Sequence, residues 1–394
     1  RWRVIAAVGI IQILAWGSSY YLLAVLAGPI ARDTGWSYSW VIAGVSLGLL
    51  VAGAVSIRVG RTIEEVGGRR VLAASALLLA AGLAVMAMAP GVSIYLAAWV
   101  LLGAGMGAGL YDAAFSTLGR LYGAGARSAI TQVTLWGGFA STVCWPLSAW
   151  LVEAVGWRGA CVAYAGLHLA VTLPLALSAI PRETRREPVA PQTDAAVPPR
   201  EAPANRALMV WLLAAILTAA GVVAAIWSVH LITILQAGGV GLASAVALGA
   251  LVGPAQVGAR VMEMASGGRH HPIWTLATAA VLIAAGLALL WAGVGLLAVA
   301  LIAYGAGNGI WSIARGTLPL ALFGPQGYAV LMGRLAMPSL IAQAIAPSAG
   351  ALLLQRYGAQ ATLASLVGLA VLNLVGVTTL WMLARPRAGV RVSP

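Results

Sequence analysis

The sequence predicts an all-α membrane protein of twelve transmembrane helices arranged as two six-helix pseudo-repeats. Three observations carry this. The 394 residues are 61% hydrophobic and 8% charged with a mean hydropathy of +0.94, too apolar for a water-soluble exterior. Apolar stretches of about twenty residues or more recur along nearly the whole chain, each able to cross a hydrocarbon layer ~30 Å thick at ~1.5 Å per residue. The pattern stops once, near the middle, and resumes with a recognisable echo of the first half.

In chain order the expected spans are 4–31, 39–59, 71–90, 94–120, 126–151 and 158–180, then 207–236, 240–263, 271–292, 295–322, 327–354 and 359–384. The segments are continuously apolar and rich in Ala, Leu and Gly rather than alternating, which selects helices over a barrel. In span four Gly103 with Gly107, and Gly105 with Gly109, form Gly-x-x-x-Gly pairs suited to close helix packing. Pro146, Gly253-Pro254, Pro338 and Pro347 are expected to interrupt spans five, eight and eleven, where bending would serve motion. Trp2, Trp36, Trp40, Trp157 and Trp381 read as interfacial anchors.

Between Pro181 and Arg206 the composition turns to Pro, Glu, Asp and Arg, with prolines at 181, 188, 191, 198, 199 and 203. This solvated linker, 181–206, divides an N-terminal six-helix bundle, 1–180, from a C-terminal one, 207–394. The halves share residues at a constant offset of 202 positions: Gly103-Ala104-Gly105-Met106-Gly107 matches Gly305-Ala306-Gly307-Asn308-Gly309, and Gly125, Ala140, Leu151 and Gly156 match Gly327, Ala342, Leu353 and Gly358. An unbroken register of this kind reads as duplication.

All 23 cationic side chains are Arg, and the formal charge is +13. With no basic soluble domain to carry it, the charge predicts no nucleic-acid partner. Most of the arginines fall in every second loop (Arg58, Arg61, Arg69 and Arg70; Arg120 and Arg127; Arg182 to Arg206; Arg260 and Arg269; Arg385 to Arg391), while the alternate loops hold Arg32, Arg158 and Arg356. By the positive-inside rule both termini and the linker are expected in the cytoplasm. The Arg1-Trp2-Arg3 start reads as a retained anchor, and the Ala, Gly and Arg bias without lysine as a bacterial inner-membrane protein. Cys144 and Cys161 lie in apolar segments as packing residues.

The loop between spans two and three reads Gly60-Arg61-Thr62-Ile63-Glu64-Glu65-Val66-Gly67-Gly68-Arg69-Arg70. It resembles the cytoplasmic motif of the major facilitator superfamily, with Glu64 where the family usually has Asp and Glu65 in place of a basic residue. Gly258, Arg260, Glu263 and Arg269 are a looser echo in the second half. The resemblance implies the major facilitator fold, a parallel repeat of six spans, and a latch in which Glu64 or Glu65 pairs with Arg120. Gly35-Trp36-Ser37 before span two, with the arginines from Arg58 to Arg70, is similar to bacterial members related to the monocarboxylate transporters. That likeness implies a small organic anion as substrate, alternating access and possible proton coupling. The lipid bilayer is the other expected partner, the expected state is a monomer, and no cofactor is expected.

Charges kept inside a bilayer cost at least ~2.5–3.5 kcal/mol and so are functional candidates. Asp112, Arg315 and Arg334 share one level, ~10–12 Å from the cytoplasmic side at helical rise. Asp112 fits two roles: a desolvated proton-coupling group, or a gate strut paired with Arg315 or Arg334. Arg334 fits a gate or a side chain snorkelling to the surface. Arg315 offers a fork of donors for carboxylate or phosphate. Tyr304, Asn308, Trp311, Ser312 and Arg315 lie at spacings of three and four on span ten, one face of a helix. The resemblance turns spans one, four, seven and ten toward a central chamber, which adds Gln12, Trp16, Ser19 and Tyr20 on span one and Trp227 and His230 on span seven.

The alternative reading is efflux of amphipathic drugs or metabolites. Drug antiporters of the family carry a Gly-Pro motif in span five, which here reads Gly137-Gly138-Phe139-Ala140-Ser141-Thr142-Val143-Cys144-Trp145-Pro146. An enzyme is not expected: Asp112 has no intramembrane acidic partner, and His270-His271 has no ligand cluster around it.

Overall fold

The structure, a computed structural model, describes residues 1–183 and 205–385. Most of the 181–206 linker, with five of its six prolines, and Arg387 and Arg391 lie outside the described residues. Fifteen α-helices build the described residues: α1 (Trp2–Gly17), α2 (Leu23–Thr34), α3 (Tyr38–Val66), α4 (Gly68–Ala87), α5 (Val92–Gly109), α6 (Tyr111–Tyr122), α7 (Ala126–Gly138), α8 (Ala140–Leu167), α9 (Leu173–Ala179), α10 (Arg206–Ala237), α11 (Leu242–Gly249), α12 (Val252–Ala265), α13 (Pro272–Ala292), α14 (Leu297–Phe323) and α15 (Tyr328–Ala384).

These assemble into the twelve predicted spans. Helix α8 runs through Gly156 (φ 72°, ψ 171°) and α15 through Gly358 (φ 80°, ψ 177°). Each glycine therefore reverses the chain between two spans, five to six and eleven to twelve. Only glycine adopts this backbone without strain, so two residues 202 positions apart make the same turn in each half.

The central Gly-rich block repeats its packing as well as its sequence. A Cβ at Gly103 would come 2.4 Å from the Gly48 carbonyl oxygen of α3, and one at Gly305 would come 2.7 Å from that of Val252 on α12. A Cβ at Gly105 would press Leu79 of α4, and one at Gly307 would press Ala279 of α13. Span four thus lies on spans two and three as span ten lies on spans eight and nine. Each half encloses apolar packing of its own, around Trp99 and Tyr164 in the first and around Leu287 and Leu301 in the second.

Four spans are broken, and only the break in span eight adjoins an expected proline. The helices continue through Pro146, Pro338 and Pro347, and Gly253-Pro254 sits in the first turn of α12. Span one breaks between Gly17 and Leu23, span four at Leu110, span five at Phe139 and span eight between Gly249 and Val252. A proline at the start of a helix, or one whose freed carbonyl is solvated by neighbours, need not end it. At Leu110 the backbone is extended (φ −77°, ψ −169°), and the Gly109 carbonyl accepts from Gln12 Nε2 at 2.7 Å. Span six carries a π-helical turn over His168–Thr172, where His168 Nε2 lies 2.7 Å from Ser18 Oγ at the break in span one.

Gly35-Trp36-Ser37 is a pair of helix caps. Gly35 ends α2 in the left-handed region (φ 71°), and the Ser37 hydroxyl accepts from the Trp40 N–H at the start of α3.

Candidate functional site

A cavity of about 290 Å³ lies where α1, the turn after it, α6, α7, α8 and α12 meet. Trp16, Tyr21 and Tyr111 supply its aromatic wall, Ser141, Thr142 and Gln256 its neutral polar groups, and Arg260 its one charge. A second, more open cleft shares Ser141 and Thr142 and continues past Val25 and Trp145, toward the end of the bundle away from the Arg-rich loops.

Arg260, counted in the sequence with the Arg-rich loop after span eight, belongs to α12 and is only 6% exposed. Its Nε donates to the Gly309 carbonyl of α14 and its Nη1 to the Thr134 carbonyl of α7, both at 3.2 Å. One guanidinium therefore touches both halves. Among the described residues it has no carboxylate partner, and Nη2 has no hydrogen-bond acceptor. Room for it comes from Gly138, where a Cβ would fall 2.1 Å from Arg260 Nη1, while the preceding Gly137 makes room for Tyr111, whose hydroxyl would lie 2.3 Å from a Cβ there. A buried cation satisfied only by neutral carbonyls is expensive, and an anion in the cavity would offset that cost.

On the Arg-rich side of the cavity Arg315 of α14 meets Asp112 of α6. Nη2 of Arg315 lies 2.6 and 2.7 Å from the two carboxylate oxygens, and the side chains are 11% and 18% exposed. The break at Leu110 places Asp112 in the first turn of α6, where helix N–H groups favour a carboxylate. Arg315 also lies over the Trp311 ring, 5.5 Å from its centroid.

Further contacts between the halves gather at the same end. Ser56 Oγ of α3 donates to the Gly333 carbonyl of α15 at 2.9 Å. Arg127 Nη1 donates to the Gly268 carbonyl at 2.9 Å, with Glu263 3.8 Å from Nη2. Glu263 in turn accepts from Thr275 at 2.8 Å. Close beside them, His271 caps α13 through Nδ1; partial burial, helped by the Arg127 charge, holds its pKa below the ordinary histidine value. The bundle is therefore bolted at its Arg-rich end.

The predicted site residues divide by location. Trp16 lines the cavity, its indole N–H donating to Gln12 Oε1 at 3.2 Å, and Tyr20 packs edge-on to it at 5.4 Å beside Ser228 of α10. Ser19 is buried, with its hydroxyl on the Ala15 carbonyl. The span-ten stripe turns mainly into its own half. Tyr304 packs on Trp227 with centroids 5.0 Å apart, Trp311 faces a narrow void with Asn373, Ser312 bonds the Gly309 carbonyl, and Asn308 is half-buried beside them. His230 donates Nε2–H to the Pro347 carbonyl at 2.8 Å. Arg334 is exposed on α15, apart from the Asp112–Arg315 pair.

In the motif loop Gly60 lets α3 approach α15, since a Cβ there would lie 2.3 Å from the Ala329 carbonyl oxygen. Gly67 turns at φ 87° between α3 and α4. Glu64 and Arg69 are half-buried, Glu65 and Arg70 exposed. Arg120 forms an ion pair with Glu183, where the described residues of the first half end.

Sequence reasoning missed Arg260 as a site residue. The available signal was its position inside the predicted limits of span eight, 240–263; the glycine that makes space for it, Gly138, lies in a different span.

Two duplicated six-helix bundles, meeting around a polar cavity inside a membrane-spanning fold, define a secondary membrane transporter rather than an enzyme. The chain belongs to the Major Facilitator Superfamily, whose family model matches residues 8–268. Among solved structures it is similar to the human organic anion transporter MFSD10 (17% identity, TM-score 0.73, covering 95% of this chain and 99% of that one). It is also similar to the E. coli fucose:proton symporter FucP (15%, 0.70, 95% and 98%) and to the proton:xylose symporter XylE (10%, 0.74, 98% and 96%). At these identities the likeness is one of fold. A comparison with curated proteins finds no significant match.

Proposed function

We propose that this transporter carries a small organic anion of the monocarboxylate class by alternating access, and that Arg260 anchors the anion. The observation that carries the reading is a guanidinium 6% exposed at a cavity, with no carboxylate partner among the described residues. The Asp112–Arg315 pair is the strut of the closed end and must part when that end opens. Protonation of Asp112 would release Arg315, which is how proton coupling would enter. The bacterial inner membrane is read from the Ala, Gly and Arg bias without lysine and the cytoplasmic termini from the alternation of Arg-rich loops, and action as a monomer belongs to the same proposal. The organic anion named for MFSD10 is compatible with this reading.

A thermal-shift titration of the purified full chain tests it. Small carboxylates should raise the melting temperature, and Arg260→Gln should remove the effect. Stabilisation by hydrophobic cations alone, unchanged by Arg260→Gln, would favour the efflux reading.

A further inference from the structure

The cavity presents two different surfaces to whatever it holds. Its charge comes from the second half, on α12, while the aromatic wall of Trp16, Tyr21 and Tyr111 comes from the first. The rings form one continuous array: Trp16 lies 5.1 Å from Tyr111 and 5.9 Å from Tyr21, centroid to centroid, and Tyr21 continues to Trp145 at 6.1 Å. Phe139, at the break in span five, is 39% exposed and also lines the space.

We infer that the anion is a planar aromatic monocarboxylate, with its carboxylate on Arg260 and its ring against Trp16 and Tyr111. This rests on the anion site proposed above and names its substrate class. Three features lead to it. The free Nη2 of Arg260 can donate to a carboxylate without giving up either carbonyl contact of Nε and Nη1. The Tyr111 hydroxyl is already committed to the Thr134 carbonyl at 3.2 Å and one face of its ring is stacked on Phe115 at 5.1 Å, so Tyr111 offers its remaining ring surface more readily than a polar group. Aromatic faces gain from a second ring in offset or edge contact beyond the area covered, a gain that a short aliphatic acid cannot make. The volume of about 290 Å³ is at the small end of ligand pockets, ~300–1,000 Å³, and suits one ring rather than a fused system. An aromatic cation would meet Arg260 with the wrong charge.

Isothermal titration calorimetry of the purified full chain with benzoate, propionate and benzamide tests the inference. Benzoate should bind at least about tenfold more tightly than either of the others, since each lacks one of the two recognised features. Trp16→Leu should weaken benzoate several-fold more than it weakens propionate, as expected when ring contact is lost. Arg260→Gln should abolish both carboxylates. Propionate binding as tightly as benzoate in the unmodified protein would overturn the aromatic class and leave the anion site standing. Benzamide binding as tightly as benzoate, or benzoate binding untouched by Arg260→Gln, would overturn both. The three-ligand comparison on the unmodified protein decides the matter even if a variant fails to fold.

Discussion

Arg315 joins Asp112 through a single nitrogen, Nη2, which lies 2.6 Å from one carboxylate oxygen and 2.7 Å from the other. The two residues are 203 positions apart, one in each half, so the contact ties the halves together at the Arg-rich end. Charge-assisted hydrogen bonds of this kind contribute about 1.5–3 kcal/mol when partly shielded from water. Asp112→Asn should therefore shift the population toward states open at that end. Ser56, 4% exposed against Gly333, supplies the reporter: a thiol in Ser56→Cys should react faster with a membrane-impermeant maleimide when Asp112→Asn is added. The native Cys144 and Cys161 are buried and contribute little background. No change in rate would show that the pair does not hold the end closed.

Gly138 controls the anion site from the opposite wall. An alanine methyl there would sit 2.1 Å from Arg260 Nη1, so the guanidinium must give up its bond to the Thr134 carbonyl and rotate. Carboxylate affinity in Gly138→Ala should fall about tenfold, equivalent to ~1.4 kcal/mol. Gly258→Ala, on the exposed side of α12 with nothing near the added methyl, should leave affinity unchanged. Calorimetry on the two variants distinguishes a steric effect on Arg260 from a general loss of span flexibility.

The paired turns at Gly156 and Gly358 should respond alike. At both, the space a methyl group would enter is open, so alanine at either site meets backbone strain without a clash. With φ near +70 to +80° and ψ near 180°, the cost is of order 1–3 kcal/mol for each. Gly156→Ala and Gly358→Ala should each lower the melting temperature. A neutral result at one site alone would mean that the two halves do not depend equally on the turn.

His271 makes the Arg-rich end sensitive to acid. Its Nδ1 accepts the Ile273 N–H as the cap of α13, which requires the neutral ring, and burial together with Arg127 lowers its folded pKa. Above the unfolded value of about 6.5 the ring is neutral in both states and the cap is fully present. As pH falls below that value the unfolded chain takes up a proton first, and stability declines until the lowered folded pKa is passed. A melting temperature followed from pH 8 to 5 should fall more steeply for the natural chain than for His271→Asn, which keeps a capping acceptor without a proton equilibrium. Parallel curves would remove His271 as a source of acid sensitivity.

What the sequence determined by itself is what depends on length, composition and local backbone. Twelve apolar stretches must cross a bilayer whatever their neighbours, because an unpaired backbone cannot stay in lipid. The 202-residue repeat was visible because Gly103, Gly105, Gly156 and their partners answer short-range demands, either close helix contact or a positive φ. Asp112 and Arg315 stood out because charges are costly in a bilayer, although sequence left the choice between pairing and proton coupling open. Only the tertiary structure decided where the cavity lies. Extended or irregular backbone at Leu110 and Phe139, with no proline at either position, moves the polar surface to spans one, four, five and eight, while Tyr304 and Trp227 pack within their own half. Arg260 was hidden for the same reason: near a helix end a lone arginine looks solvated, and only the approach of α7 and α14 buries it beside an aromatic wall.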